Sequence, residues 1–303
     1  MRNSLYFLKQ INKVMNSRFR IARYMQQQRS ATRPQIAAAL GLSQVSTNAA
    51  IAALAKEGVV TPGTLIASGG GRPVQLYHFN PGHAAVALVT TRPEPHCTLL
   101  HLEFLDMQGK LLGERQARFA QVHAESLDDW LDSAARLHKL CKICLAPGLG
   151  PIMQSHLQKR HNCHVQELYA AEALVSGQEN TLTLLLQKGK APQGAMLRHG
   201  CVSLCPLLHL LPLPAEWETL DYADHTLVEE MLARLLQLLT CTLNPAHIEL
   251  HANFWNDRLI SRLNFNLSTK LRNILSQPAL HFSALSETEL EQKLRRRAVC
   301  AEA

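Results

Sequence analysis

The chain has 303 residues, 47% of them hydrophobic and 18% charged, which is enough for one large domain or two ordinary ones with a sizeable core. Its net charge of +7 is unevenly distributed. The first 81 residues hold ten basic residues and one acidic residue, whereas the other 222 carry a net charge of −2. This asymmetry excludes a uniformly basic enzyme and indicates a polyanion-binding module joined to a near-neutral domain.

Membrane spans and secretory signals are both recognised by their apolar segments. No apolar run approaches the roughly 18 residues that span a bilayer, and Met1–Lys13 lacks the apolar segment of a secretory signal. Eight cysteines in such a chain are typical of reduced thiols. We therefore expect a cytoplasmic protein with no membrane partner.

From Ser17 onward, the spacing predicts three short helices. Thr32 and Ser43 are the expected N-caps of the second and third helices, and Gly41 and Gly58 their expected ends. A short turn with glycine between two helices is typical of a helix-turn-helix. The apolar residues of the first helix fall at helical spacing, and they are Phe19, Ile21, Ala22 and Met25.

The third helix is predicted to have an inner and an outer face. Its inward residues should be Thr47, Ala50, Ile51 and Leu54, which follow the helical period. The predicted outward residues near the start of this helix are Gln44, Ser46, Asn48 and Ala49. Gln and Asn side chains can pair with adenine in the major groove, and Ser with a base or a phosphate. This face is therefore the candidate for base contacts.

After Gly58 the pattern predicts two short strands around a glycine-rich tip, with a further turn at Pro62-Gly63. Arg72 at that tip is a candidate for a minor-groove or phosphate contact. A glycine run can instead cradle a nucleotide phosphate, but then a helix should follow, and Pro73 leads into a strand-like run. The other candidates for phosphate contacts are Arg18, Arg20, Arg23, Arg33 and Lys56.

These residues resemble a known family. Ala31–Leu54, Ser68–Pro73 and the closing Phe79-Asn80-Pro81 are similar to the winged-helix region of ROK-family transcriptional repressors. In that family a "GGRP" wing and an "NP" exit lead into a sugar-kinase-like domain. This chain departs from the pattern at Ala49, where the family often carries Arg.

The larger domain resembles the ROK kinase outline without its chemical groups. Val89–Pro93 stands where the family has an Asp-x-Gly-x-Thr phosphate loop, and it contains neither Asp nor Gly. Ala170 stands where the resemblance places the catalytic Asp. Gln187–Ala215 contains no acidic residue for the sugar site, and His251-Ala252 replaces paired glycines near the nucleotide. The resemblance thus implies a domain that has lost phosphoryl transfer and has no catalytic residues.

Cysteine and histidine are metal ligands, so clusters of these residues are candidate metal sites. The weak candidates for a zinc tetrad are His199, Cys201, Cys205 and His209. Their spacing fits neither the family motif nor a common zinc finger, and ordinary buried thiols are the favoured interpretation. Cys163, between His161 and His164, is interpreted as part of a surface turn. We expect no metal and no cofactor.

The predicted fold is α/β, with a winged helix-turn-helix over 1–81 and a shortened, degenerate actin-like ATPase (ROK sugar-kinase-like) domain over 82–303. The predicted function is that of a sequence-specific DNA-binding regulator, a repressor of carbohydrate-related genes without kinase activity. Its partners would be double-stranded DNA, a second copy in a homodimer or higher oligomer, and a sugar or protein effector. The alternatives are a ROK-type carbohydrate kinase with an accessory N-terminal domain, and a regulator that senses a partner protein without a small-molecule ligand.

Overall fold

The computed structural model describes residues 17–68, 71–147, 149–187, 190–205, 224–270 and 278–300, together with 208, 217 and 220. The chain divides into two compact units, Met1–Gln166 with Ala298–Ala303, and Glu167–Arg297. The predicted boundary after residue 81 falls inside the first unit. Among the described residues, no single helix has the length and apolarity to cross a membrane, and only a sharply bent pair of helices passes that test jointly.

The N-terminal module consists of three helices and a three-stranded sheet. The sheet has the order β1-β3-β2, and both pairings are antiparallel. Its elements are α1 (17–28), β1 (Ser30–Thr32), α2 (Arg33–Leu40), α3 (Gln44–Lys56), β2 (Val60–Ser68) and β3 (Gly71–Phe79).

The predicted helix caps are confirmed. Thr32 Oγ1 accepts from the backbone N–H of Gln35, and the Gln35 side chain accepts from the N–H of Thr32, which makes a capping box. Ser43 Oγ accepts from the N–H of Ser46 at 3.1 Å and begins α3. Gly41 ends α2 with φ 62°, in the left-handed region that glycine adopts without strain. Local hydrogen bonding therefore fixes the ends of both helices.

The core of the module holds Ile21 and Met25 of α1, both fully buried, beside Ile36 of α2 and Ile51 of α3. Placing Phe19 with the apolar face of α1 was wrong, because its side chain is 49% exposed. Two helical positions correspond to a rotation of about 200°, so Phe19 and Ile21 lie on opposite faces.

A turn predicted at Pro62-Gly63 is instead a bulge inside β2. The pairing with β3 shifts register between Pro62 and Leu65, and a bulge tolerates proline within a strand. A Cβ at Gly63 would lie 2.3 Å from Nε2 of the exposed His78 side chain, so a larger residue at this position would displace that ring. The Gln75 side chain also donates to the Gly63 carbonyl at 2.6 Å. One continuous hairpin results.

The first unit continues into a five-stranded sheet of order β6-β5-β4-β7-β8. Strand β4 pairs antiparallel with β5 and parallel with β7. Helices α4 and α5 supply buried residues to the core on one face of this sheet. Its elements are β4 (Ala85–Glu94), β5 (Cys97–Asp106), β6 (Leu111–Phe119), α4 (Ala124–Ala135), β7 (Leu140–Leu145), α5 (Gly150–His161) and β8 (His164–Glu167).

The second unit repeats this topology. Its five-stranded sheet has the order β11-β10-β9-β12-β13, in which β9 pairs antiparallel with β10 and parallel with β12. Helices α6 and α7 pack on one face of the sheet. Its elements are β9 (Thr181–Leu185), β10 (Gln193–Arg198), β11 (Cys201–Leu204), α6 (His225–Leu243), β12 (His247–Ala252), α7 (Asp257–Lys270), β13 (Ala279–Ala284) and α8 (Glu287–Val299).

The interpretation of His161, Cys163 and His164 as a surface turn was wrong for two of the three residues. Cys163 is 9% exposed and belongs to the core of the first five-stranded sheet. Burial raises the pKa of its thiol to about 11. The His161 side chain is 5% exposed and lies near Asp128 and Asp132 of α4. The C-terminal end of α5 packs against α4, and this packing buries the His161 side chain, which the sequence pattern could not show.

Candidate nucleic-acid interface

Helices α2 and α3 meet at a sharp angle. The axis bends by 118° across the turn between Leu40 and Gln44, within the range of helix-turn-helix units. The N–H of Leu42 donates to the carbonyl of Ala37 at 2.9 Å, which closes the turn. The buried residues of α3 are Thr47, Ala50, Ile51 and Leu54, as the spacing predicts. Helix α3 is thus held with one face inward and the opposite face in solvent.

The outward residues of α3 lie where the sequence predicts them, with one difference. Gln44, Asn48 and Ala49 are exposed, whereas Ser46 is half-buried. The Ser43 hydroxyl donates to Ser46 Oγ at 2.9 Å, which makes Ser46 part of the cap at the start of the helix. Of the four predicted residues, those free for a ligand are therefore Gln44 and Asn48, through their amides, and Ala49, through its methyl group.

Sequence reasoning missed Val45. Its side chain is 79% exposed in the first turn of α3, although an isolated valine looks like a core residue in a one-dimensional pattern. The signal was available, because Val45 does not share the spacing of Thr47, Ala50, Ile51 and Leu54. An apolar side chain in solvent between polar neighbours is suited to an apolar contact with a ligand.

The basic residues of the module differ in how they are engaged. Arg18 pairs with Glu57, and Arg20 donates to the carbonyl of Leu40 at 2.6 Å, at the end of α2. The Arg33 guanidinium lies 5.1 Å from the centre of the Tyr77 ring, a cation–π distance. Lys56 is exposed in the last turn of α3. Arg18 and Arg20 thus have structural partners besides any anionic ligand.

The hairpin of β2 and β3 also carries exposed apolar side chains. Leu65 is 66% and Ile66 43% exposed on β2. Arg72 belongs to β3 by its backbone, but its side chain lies outside the described part of the chain, so its predicted contact stays a prediction.

The segment predicted to replace a phosphate loop is a regular hairpin. Strand β4 runs without interruption to Glu94, and every residue from Val89 to Glu94 has a register partner on β5. In such a ladder the backbone groups bond between strands instead of converging on one point. The geometry offers no cradle of amides for a phosphate at Val89–Pro93.

At two other positions where the resemblance places kinase groups, this chain has Ala170 and His251. Ala170 begins a short 3-10 helix, Ala170–Ala173, and its N–H donates to the Gln193 side chain at 3.1 Å. The imidazole of His251 is buried in β12, and burial lowers its pKa. A buried imidazole occupies the space that a pair of glycines would leave open. The segment Gln187–Ala215 is described only in part.

The weak zinc candidates are in different environments. His199 and Cys201 are exposed, whereas Cys205 is 2% exposed and packs in the core of the second unit. His209 lies outside the described residues. The burial of Cys205 in the core favours an ordinary thiol over a zinc ligand at this position.

Sequence reasoning also missed a cluster of three side chains that carry metal-ligating atoms, His101, Glu103 and Glu114. His101 and Glu103 alternate along β5, and Glu103 lies directly opposite Glu114 of β6. One ligand atom from each lies within 4.8 Å of the others. His101 Nε2 is 3.1 Å from Glu114 Oε2. The His-x-Glu spacing on a strand was the available signal, but the third member depends on the register of two strands.

No family model and no curated protein matches the sequence. Solved structures do match. One is a ROK family transcriptional regulator described as a homologue of the E. coli MLC protein, with 10% identity, a TM-score of 0.57, and coverage of 94% of this chain and 96% of that one. A ROK hexokinase from Thermus thermophilus has 13% identity, a TM-score of 0.48, and coverage of 69% and 97%.

A putative N-acetylmannosamine kinase from Listeria monocytogenes has 11% identity, a TM-score of 0.42, and coverage of 71% of this chain and 97% of that one. Only the match to the regulator exceeds a TM-score of 0.5 among these three, and it extends over almost the whole chain. The chain therefore has the fold of a ROK family protein.

Proposed function

We propose that the chain is a sequence-specific DNA-binding transcriptional regulator of the winged helix-turn-helix type, a repressor of carbohydrate-related genes that lacks kinase activity. The observation that carries the proposal is helix α3. It sits at 118° to α2, is anchored by its buried face, and presents Gln44, Asn48 and Ala49 to solvent at its N-terminal end. Residues at this end of a recognition helix reach base edges.

Charge supports duplex DNA as the ligand. The first 81 residues carry a net charge of +9, so the whole net charge of +7 originates in this part of the chain, and phosphate contacts dominate non-specific affinity for DNA. Lys56 is exposed at the end of α3, and Arg33 is held at the start of α2. The hairpin of β2 and β3 serves as the wing, with Arg72 near its tip. Asn48 would specify a base, whereas the basic residues would fix position on the backbone.

The absence of kinase activity is supported by the hairpin at Val89–Glu94 and by Ala170. Phosphoryl transfer needs a cradle for the nucleotide phosphates and a base for the sugar hydroxyl. The larger domain would then serve dimerisation and the sensing of a sugar or protein effector in the cytoplasm. Dimers match palindromic half-sites one helical turn or more apart.

The test is binding of the full chain to random-sequence duplex DNA, measured by fluorescence anisotropy as a function of salt. The expected result is a logarithm of affinity that falls linearly with the logarithm of salt concentration. Arg72→Ala and Lys56→Ala should each weaken binding to every sequence and reduce the slope by about one. On a defined site selected from a randomised duplex pool, Asn48→Ala should keep the slope and relax preference at one base pair, with a cost of about 1–3 kcal/mol at that position.

Salt-independent or absent binding to every duplex would exclude this function. Turnover of ATP on a panel of hexoses would instead establish the kinase alternative, and Lys56→Ala is the control that should leave any such turnover unchanged. Thermal shifts across a sugar library separate a sugar effector from a protein effector, because a ligand that binds the folded state raises the unfolding temperature.

A further inference from the structure

The centre of the exposed face of α3 is apolar. With 3.6 residues per turn, Val45, Ala49 and Ala52 follow one line along the helix, opposite the buried residues. All three are exposed, and the line ends at Lys56. Gln44 and Asn48 lie to one side of this line. The residues that face a ligand most directly are therefore Val45 and two alanines, with the amides at the flank.

The chemistry of this line points to one kind of base pair. From Gln44 to Ala52 the helix carries no arginine and no lysine, and these are the residues that most often read guanine. The base groups that suit apolar side chains are the methyl groups of thymine, and the flanking Asn48 suits adenine. Both belong to A·T pairs.

We propose that Val45 is a specificity-determining residue that contacts the 5-methyl group of a thymine, and that the base pairs under the first two turns of α3 are A·T. This inference rests on the proposed function, since it requires that α3 enters the major groove. Ala49 adds a second, smaller apolar contact, and Lys56 reaches the phosphate backbone at the far end of the line.

The experiment starts from sites that the full chain selects from a randomised duplex pool. Each thymine of the selected site is then replaced by uracil, which removes only the 5-methyl group. At one thymine per half-site the wild-type protein should bind about fourfold more weakly, the equivalent of one buried methyl group. Val45→Ala should bind the thymine and uracil duplexes equally well.

Leu65→Ala is the matched control, because Leu65 is also an exposed apolar residue but lies on β2. It should keep the fourfold difference between thymine and uracil. Salt-dependent binding that no uracil changes, or selected half-sites with G·C pairs under the first two turns, would overturn the inference and leave the proposed function intact. The loss of all salt-dependent binding would overturn the proposed function itself. Val45 is 79% exposed, so Val45→Ala should not disturb folding.

Discussion

Polar side chains of α3 and of β12 stand in opposite situations. On α3, Gln44 and Asn48 face solvent, so water satisfies their amides until a ligand replaces it. On β12, the His251 side chain is 8% exposed, and its Nε2 lies 3.8 Å from Glu249 Oε2, beyond hydrogen-bond distance, so neither ring nitrogen has a hydrogen-bond partner among the described residues. An unsatisfied buried polar group costs about 1–3 kcal/mol, whereas an exposed one costs little. The exposed amides of α3 are therefore available for recognition without a loss of stability, whereas the buried imidazole of β12 lowers the stability of its sheet.

The largest expected effect tests the inner face of α3. Ile51→Ala removes a fully buried side chain from the core of the module. We expect a loss of about 2–5 kcal/mol in the free energy that protects residues 17–68 from amide hydrogen exchange. Val45→Ala on the outer face should change that free energy by less than about 0.5 kcal/mol. Similar losses for both variants would contradict the division of α3 into two faces.

The second prediction concerns His251. Replacement by leucine removes two unpartnered nitrogens from the second unit, so His251→Leu should raise the free energy of unfolding by about 1 kcal/mol at pH 8. Glu249→Leu tests the neighbouring carboxylate, which lies 3.8 Å from His251 Nε2 and accepts from Thr183 Oγ1. It should lower the free energy of unfolding, because it leaves the Thr183 hydroxyl without its acceptor. Destabilisation by His251→Leu in chemical denaturation would show that the imidazole has a partner.

The same residue predicts a pH dependence. Burial lowers the pKa of His251 in the folded state, against a coulombic contribution from Glu249 and together with one from Lys293. At acidic pH the unfolded chain therefore binds a proton that the folded chain binds less well, so stability should decrease as the pH falls below about 6.5. This part of the decrease should disappear in His251→Leu. An identical pH profile in both proteins would exclude the effect.

The cap of α3 gives the third effect in size. Ser43→Ala removes the acceptor for the N–H of Ser46 and should cost about 1 kcal/mol. Ser46→Ala, one turn further on, should cost less, because Ser46 only accepts from the Ser43 hydroxyl through its side chain. Unfolding of both variants, followed by far-ultraviolet circular dichroism, measures the difference. Equal costs would mean that Ser43 is not the cap.

The accuracy of the sequence predictions followed the range of the interactions involved. Thr32, Gly41 and Ser43 act on residues a few positions away, and their roles were predicted correctly. The bulge between Pro62 and Leu65 depends on the pairing with β3 across the hairpin, and the burial of Cys163 depends on a sheet formed by distant strands. Such contacts are not encoded in local spacing.

For the candidate interface, the sequence predicted the inner face of α3 fully and the outer face in part. The helical period identifies buried positions, but on the outside only Gln44, Ser46, Asn48 and Ala49 were predicted, which left out Val45. The engagement of Arg20 by the carbonyl of Leu40 could not be predicted, because it requires the packing of α1 against the end of α2. The order of helix, turn, helix and hairpin was available from the sequence.

The smallest expected change in stability concerns the ion pair between Arg18 of α1 and Glu57 at the end of α3. Arg18 and Glu57 form an ion pair with side chains 34% and 47% exposed, so Arg18→Ala and Glu57→Ala should each cost at most about 1 kcal/mol.

The effects of Arg18→Ala and Glu57→Ala on DNA binding should differ in sign. Arg18→Ala removes a positive charge, which should weaken binding and reduce the salt slope by about one if Arg18 contacts a phosphate. Glu57→Ala removes the single acidic residue of the first 81 and releases Arg18, so binding at low salt should become tighter. If anisotropy titrations gave the same direction for both variants, the pair would act only through folding, and the module would not bind through its charge.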